Sequence, residues 1–82
     1  MEFRPSIWVK EGDFAFFAIA SVRDAIDFLD AWPSGKRNSF YYLAANSLQS
    51  AVAGAIEPAE ARDVFEIFCR ETGILVEAKM LD

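Results

Sequence analysis

The chain has 82 residues, the length of a single domain spanning 1–82. A domain of that size takes only about 60% of its unfolded surface out of water. Yet 54% of the residues are hydrophobic and 15% aromatic, with eight Phe and two Trp, more apolar matter than so small a globule readily hides. This composition excludes a disordered chain, the lone Cys69 excludes a disulfide framework, and the lack of histidine excludes Cys/His zinc sites. Eight basic against thirteen acidic side chains leave a net charge of −5. Nucleic-acid affinity rests on phosphate neutralisation, so the expectation is no nucleic-acid partner. Met1-Glu2-Phe3-Arg4-Pro5 lacks the basic-then-apolar pattern of a secretory signal. With one cysteine, that leads to the expectation of a cytoplasmic protein.

Pro5 precedes Ser6-Ile7-Trp8-Val9-Lys10, a short run rich in β-branched and aromatic residues. Glu11-Gly12-Asp13 offers a turn, and Phe14-Ala15-Phe16-Phe17-Ala18-Ile19-Ala20 follows. Two such runs around a glycine-containing turn read as a β-hairpin. Ser21 then starts a helix, with Asp24 placed for the reciprocal half of a capping box. Val22, Ala25, Ile26, Leu29 and Trp32 form its apolar stripe, and Arg23, Asp24, Asp27 and Asp30 its polar face. Pro33 stops it.

Beyond the polar loop Ser34-Gly35-Lys36-Arg37-Asn38, capped by Asn38 or Ser39, a second helix runs through Phe40 to about Gly54. Residues 39–56 carry no charge. Asn46, Ser47, Gln49 and Ser50 interrupt a stretch already shorter than the about 20 apolar residues of a membrane span. The expectation is therefore a central helix covered nearly all round, and no membrane partner. Pro58 opens a third helix with an apolar stripe of Ala61, Val64, Phe65, Phe68 and Cys69. Arg62, Glu66 and Arg70 form an i, i+4 ladder on its outside. Gly73 is placed as a left-handed cap, and Ile74-Leu75-Val76-Glu77-Ala78-Lys79 reads as a last strand. The order is ββαααβ, an α+β fold with a small, mainly antiparallel sheet (hairpin plus C-terminal strand) against three helices.

These residues also form a familiar pattern. It comprises the Trp8-Val9 strand, Ser21-Val22-Arg23-Asp24-Ala25 with Phe28-Leu29, and Trp32-Pro33. Phe40-Tyr41-Tyr42-Leu43-Ala44, Gly54 and Ala61-Arg62 with Phe65 complete it. The chain resembles, over nearly its whole length, the short bacterial proteins grouped as domain-of-unknown-function family 982. Trp32-Pro33 and Ala61-Arg62-x-x-Phe65 are its most specific pieces. Members of that family often carry a middle-helix cysteine where this chain has Asn46-Ser47-Leu48. The resemblance implies a fold and a bacterial cytoplasmic setting. It brings no activity, because the family has none assigned.

Chemistry-bearing candidates are few. No His is available as a general base at neutral pH, and Asp24, Asp27 and Asp30 lie on a solvated helix face. Glu57 and Glu60 sit where the macrodipole of the third helix favours negative charge. Cys69 lies on a buried stripe, where a thiol behaves as a small hydrophobe. Gly35-Lys36 fails the phosphate-loop pattern, since Asp30 and Arg37 stand where glycine and Ser or Thr are required. Lys36 and Arg37 before a helix remain a weak anion site. The expectation is no enzyme and no cofactor.

Alternation along the hairpin is more telling. If Ile7, Val9, Phe17 and Ile19 face the helices, Trp8, Phe14 and Phe16 face away, unless twist or a bulge hides them. Large exposed apolar patches mark binding surfaces. The leading expectation is a protein-protein interaction module, a homodimer or a partner of another protein, joined through Trp8, Phe14 and Phe16. The alternative is a small-molecule-binding or regulatory domain with a pocket near Trp32, Tyr41 and Tyr42.

Overall fold

The computed structural model describes residues 1–77. Strand β1 (Glu2–Glu11) and strand β2 (Ala15–Ser21) form an antiparallel hairpin. Helices α1 (Val22–Asp30), α2 (Ser39–Val52) and α3 (Pro58–Glu71) follow. A single 3-10 turn, Ser34–Lys36, lies between α1 and α2. The fold is α+β, a two-stranded antiparallel sheet followed by three helices.

The hairpin register pairs Ile7 with Ile19, Trp8 with Ala18, Val9 with Phe17 and Lys10 with Phe16, and closes at Glu11–Ala15. Gly12, Asp13 and Phe14 make the turn, and Gly12 has φ +69°, a left-handed conformation that glycine reaches without steric cost. Phe14 therefore stands in the turn rather than at the start of β2. β1 also begins earlier than the Ser6–Lys10 run suggests. It runs through Pro5, where the register shifts between the Glu2 and Ile7 pairings and the Arg4–Pro5 peptide bond is cis. An irregularity of this kind is where a strand accommodates a residue with no N–H to give.

At the start of α1, Ser21 Oγ accepts from Asp24 N at 3.0 Å, and the Asp24 carboxylate accepts from Ala20 N at 3.1 Å. This is a close variant of the capping box, reaching one residue further back. Asn38 Oδ1 caps α2 by accepting from Tyr41 N at 3.0 Å. Both later helices end in the same way. Gly54 and Gly73 take φ of +80° and +76°, and the residue after each donates five residues back: Ala55 N to Ser50 O, and Ile74 N to Cys69 O.

The expected C-terminal strand does not form over its described part. Leu75 makes one bridge pairing with Val9. Lys10 N donates to Ile74 O and Val76 N to Trp8 O, each at 2.9 Å. The Schellman turn at Gly73 delivers the chain to the β1 edge, and Ile74–Val76 then lie along it without a regular ladder. Ala78 and Lys79, the end of that expected strand, lie outside the described residues.

The core is one cluster between the inner hairpin face and the helices. Ile7, Val9 and Ile19 meet Val22, Ala25 and Leu29 of α1, Ala44, Leu48 and Ala51 of α2, and Ala61, Phe65, Phe68 and Cys69 of α3. Phe3, from the added N-terminal stretch of β1, joins it with its ring 6.2 Å from that of Phe65. α2 departs from expectation. It is not covered all round: Tyr42, Leu43 and Val52 are about half exposed, along with Asn46, Gln49 and Ala53. Only α3 packs extensively along α2, so its remaining face is left uncharged and open.

Candidate functional site

An aromatic chain runs through the helical layer. Phe17 lies 5.8 Å from Phe28, Phe28 lies 5.8 Å from Trp32, and Trp32 meets Phe68 edge-on at 5.2 Å. Phe68 continues to Tyr41 and Tyr41 to Tyr42, at 6.2 and 5.1 Å. Offset and edge-to-face pairs of this kind add roughly 0.5–1.5 kcal/mol each beyond area burial. Trp32 Nε1 donates to Lys36 O at 3.2 Å, which holds the 3-10 turn against the end of α1.

The three residues expected to line one pocket are separated by this packing. Tyr41 is buried, and its hydroxyl donates to Leu29 O at 3.3 Å. Tyr42 projects toward solvent. Of the three, only Trp32 lines the cleft of about 650 Å³ beneath the turn end of the hairpin. Phe17 and Phe28 share that lining, with Lys10, Asp24 and Asp27 among its charged residues.

Lys36 and Arg37 do not converge either. Arg37 Nη2 donates to Trp32 O at 3.3 Å, and its guanidinium sits 4.8 Å above the Tyr41 ring, within cation–π range. Its Nε is buried with no acceptor among the described residues. Asn38 takes the Tyr41 N–H in the first turn of α2. Arg37 thus pins the α1–α2 connection, and Lys36 stays exposed.

Cys69 is fully buried, and burial, with Glu66 adding to it, pushes its thiol up to about 12. At neutral pH it is protonated and inert as a nucleophile.

Arg62 behaves differently from an exposed helix cation. Its side chain is only 13% exposed. Nε donates to Pro5 O at 2.7 Å, across 57 positions of sequence, while Nη2 reaches Glu66 at 3.3 Å and Nη1 reaches Asp63 at 3.2 Å. Glu66 also accepts from Arg70 at 3.2 Å, completing the expected ladder. In Ala61-Arg62-x-x-Phe65, Ala61 and Phe65 are fully buried, and Arg62 ties α3 to the irregular part of β1. This motif builds the fold. Sequence spacing placed Arg62 on the outside because nothing local reveals a carbonyl acceptor so far away.

The hairpin's outer face is the other candidate site. Trp8 is 47% exposed and Phe16 53%, and they lie on neighbouring strands two pairings apart, on the same face. Phe14 at the turn is 97% exposed. Their opposite-face neighbours Ile7, Val9 and Ile19 are buried.

A hairpin laid on three helices, with aromatic rings left on its far side, defines a class of small α+β module. Residues 6–76 match the family described as "Protein of unknown function (DUF982)", and the chain belongs to that family. No curated protein and no solved structure matches it. Among the described residues, no helix is long and apolar enough to cross a membrane.

Proposed function

We propose that the protein is a non-catalytic interaction module of the cytoplasm that pairs with a second copy of itself through the outer face of the hairpin. The observation that supports this most is the split between the two hairpin faces. The same two strands bury Ile7, Val9 and Ile19 and leave Trp8 and Phe16 about half exposed. Phe14 extends the patch at the turn. Aromatic residues are the side chains most enriched at the centres of protein interfaces. A self-complementary patch closes most simply by two-fold symmetry. On β2 the patch carries no charged side chain, and on β1 the Lys10 cation pairs with Phe16.

Size-exclusion chromatography coupled to light scattering tests this directly. The expected result is a dimer at tens of micromolar that becomes a folded monomer in the Trp8→Ser, Phe16→Ser double variant. A strict monomer for the parent chain overturns it. A small-molecule pocket is the weaker reading, because Trp32 and the two tyrosines share no cavity. A thermal-shift screen with no stabilising metabolite removes it.

A further inference from the structure

The hairpin has two long edges, and they are treated differently. On β1, Trp8 O and Lys10 N are bonded to Val76 and Ile74, so Ile7, Val9 and Glu11 are the residues that turn their backbone groups toward β2. Their partners Ile19, Phe17 and Ala15 therefore face β1. By the same alternation, Phe16, Ala18 and Ala20 direct their N–H and C=O groups off the far edge of β2. Asp24 takes up the Ala20 N–H. For Phe16 and Ala18, no partner to these groups is formed among the described residues. A two-stranded sheet thus presents an unpaired strand edge with no lysine, proline or other charge to block it.

The same edge borders the 650 Å³ cleft. Ala18 lines it from β2, and Asp24, Asp27, Phe28 and Trp32 line it from α1 and its end. The Phe17, Phe28 and Trp32 rings, each half-buried, give the cleft an apolar wall, with Lys10 and Glu11 beside it at the turn end; carboxylates outnumber cations in the lining. The cleft is acidic further along, at Asp24 and Asp27.

We infer that the β2 edge and this cleft form a groove for an extended peptide of another protein, bound by strand addition. Phe16 and Ala18 supply the main-chain hydrogen bonds. Alternate side chains of the added strand point into the cleft. One of them, apolar, lies against Phe28 and Trp32, and the next one inward, basic, lies beside Asp24 and Asp27. The recognised pattern is an apolar and a basic residue two positions apart. Charge complementarity favours this occupant over a second copy of the chain, whose β2 strand has no basic residue to offer and whose net charge is −5. The groove is separate from the patch of Trp8, Phe14 and Phe16 side chains on the outer face, so it holds whether or not the protein dimerises there.

The test is an NMR titration of the full chain with a short capped peptide in which threonine alternates with leucine and lysine in turn. The expected result is saturable shifts at Phe16, Ala18 and the Trp32 indole, with slowed amide exchange at Phe16 and Ala18. Asp27 is exposed, so Asp27→Lys leaves the chain folded and weakens the peptide by roughly 3- to 5-fold. A matched peptide with glutamate for lysine produces no shifts. The proposal is overturned by an unchanged spectrum at millimolar peptide, or by shifts confined to Trp8 and the other outer-face rings. Equal binding of the acidic peptide sinks it too. Protection of Phe16 and Ala18 that grows with protein concentration and needs no peptide assigns the edge to a second copy instead.

Discussion

Both faces of the hairpin carry large apolar side chains, with opposite fates. On the inner face, Ile7, Val9 and Ile19 are covered by helices that contribute Val22, Leu48 and Phe65. On the outer face, Trp8 and Phe16 carry larger rings with no layer above them among the described residues. Three short helices can cover one side of a two-stranded sheet, so the choice of face follows from layer count rather than from hydrophobicity. Apolar character therefore does not distinguish a core ring from a surface ring in this chain. Position relative to the helices does.

Substitutions that probe the contrast should separate sharply. The largest effect is expected from Phe68→Ala. This fully buried ring contacts Trp32, Tyr41 and Phe65, and its loss costs about 3–5 kcal/mol. That is a large part of the roughly 5–15 kcal/mol that holds a domain folded, and urea denaturation followed by circular dichroism should show a chain at the edge of unfolding. Arg62→Ala comes next. Removing a nearly covered guanidinium that holds Pro5 O and Glu66 should cost about 1.5–3 kcal/mol, and it should loosen the Glu2–Ile7 stretch, read as faster amide exchange there. Arg62→Lys cannot span the same acceptors with a fork and should recover only part of the loss.

Cys69 sharpens the contrast through pH. The folded thiol holds its proton to about 12, against an ordinary value of 9.0. Between those values the unfolded chain binds fewer protons than the folded one, so rising pH favours unfolding. The contribution is whole below about pH 9 and declines above it, with a slope of at most about 1.4 kcal/mol per pH unit. Cys69→Ala should flatten this part of the stability profile when the two chains are compared between pH 9.0 and about 12, the range the shift spans.

Ser21→Ala removes the cap of α1 and should cost about 1 kcal/mol, visible as a lower urea midpoint. The smallest effect on folding is expected on the outer hairpin face. Trp8→Ser with Phe16→Ser should change monomer stability by less than about 1 kcal/mol, as surface positions do. A loss comparable to that of Phe68→Ala would show that the outer rings belong to the core after all.

Much of the architecture was legible because it depends on residues close in sequence. Ser21 and Asp24, Asn38, Gly54 and Gly73 set helix ends through bonds spanning a few residues, and Pro58 sets the start of α3 through its fixed φ. The stripes of α1 and α3 name their buried residues in advance. Alternation in the hairpin assigned Ile7, Val9 and Ile19 to one side and Trp8 and Phe16 to the other. The candidate sites were less legible. Trp32 and the tyrosines are apolar neighbours in sequence terms, yet the Phe68 ring is interposed between Trp32 and Tyr41. Arg37, read as a cation for an anion, is occupied by Trp32 O and the Tyr41 ring. The uncharged α2 suggested cover nearly all round, but a helix at the rim of three has one side open.

Taken alone, the amino-acid sequence determined the elements, their ends and which side of each is apolar, since periodicity and capping act over one or two turns. Tertiary structure decided the rest: that Phe3 reaches the core, that Arg62 binds a carbonyl 57 residues away, that β2 keeps a bare edge beside an acidic, ring-lined cleft. Those outcomes depend on which layer lies over which face, and contacts between distant segments leave no local spacing to read.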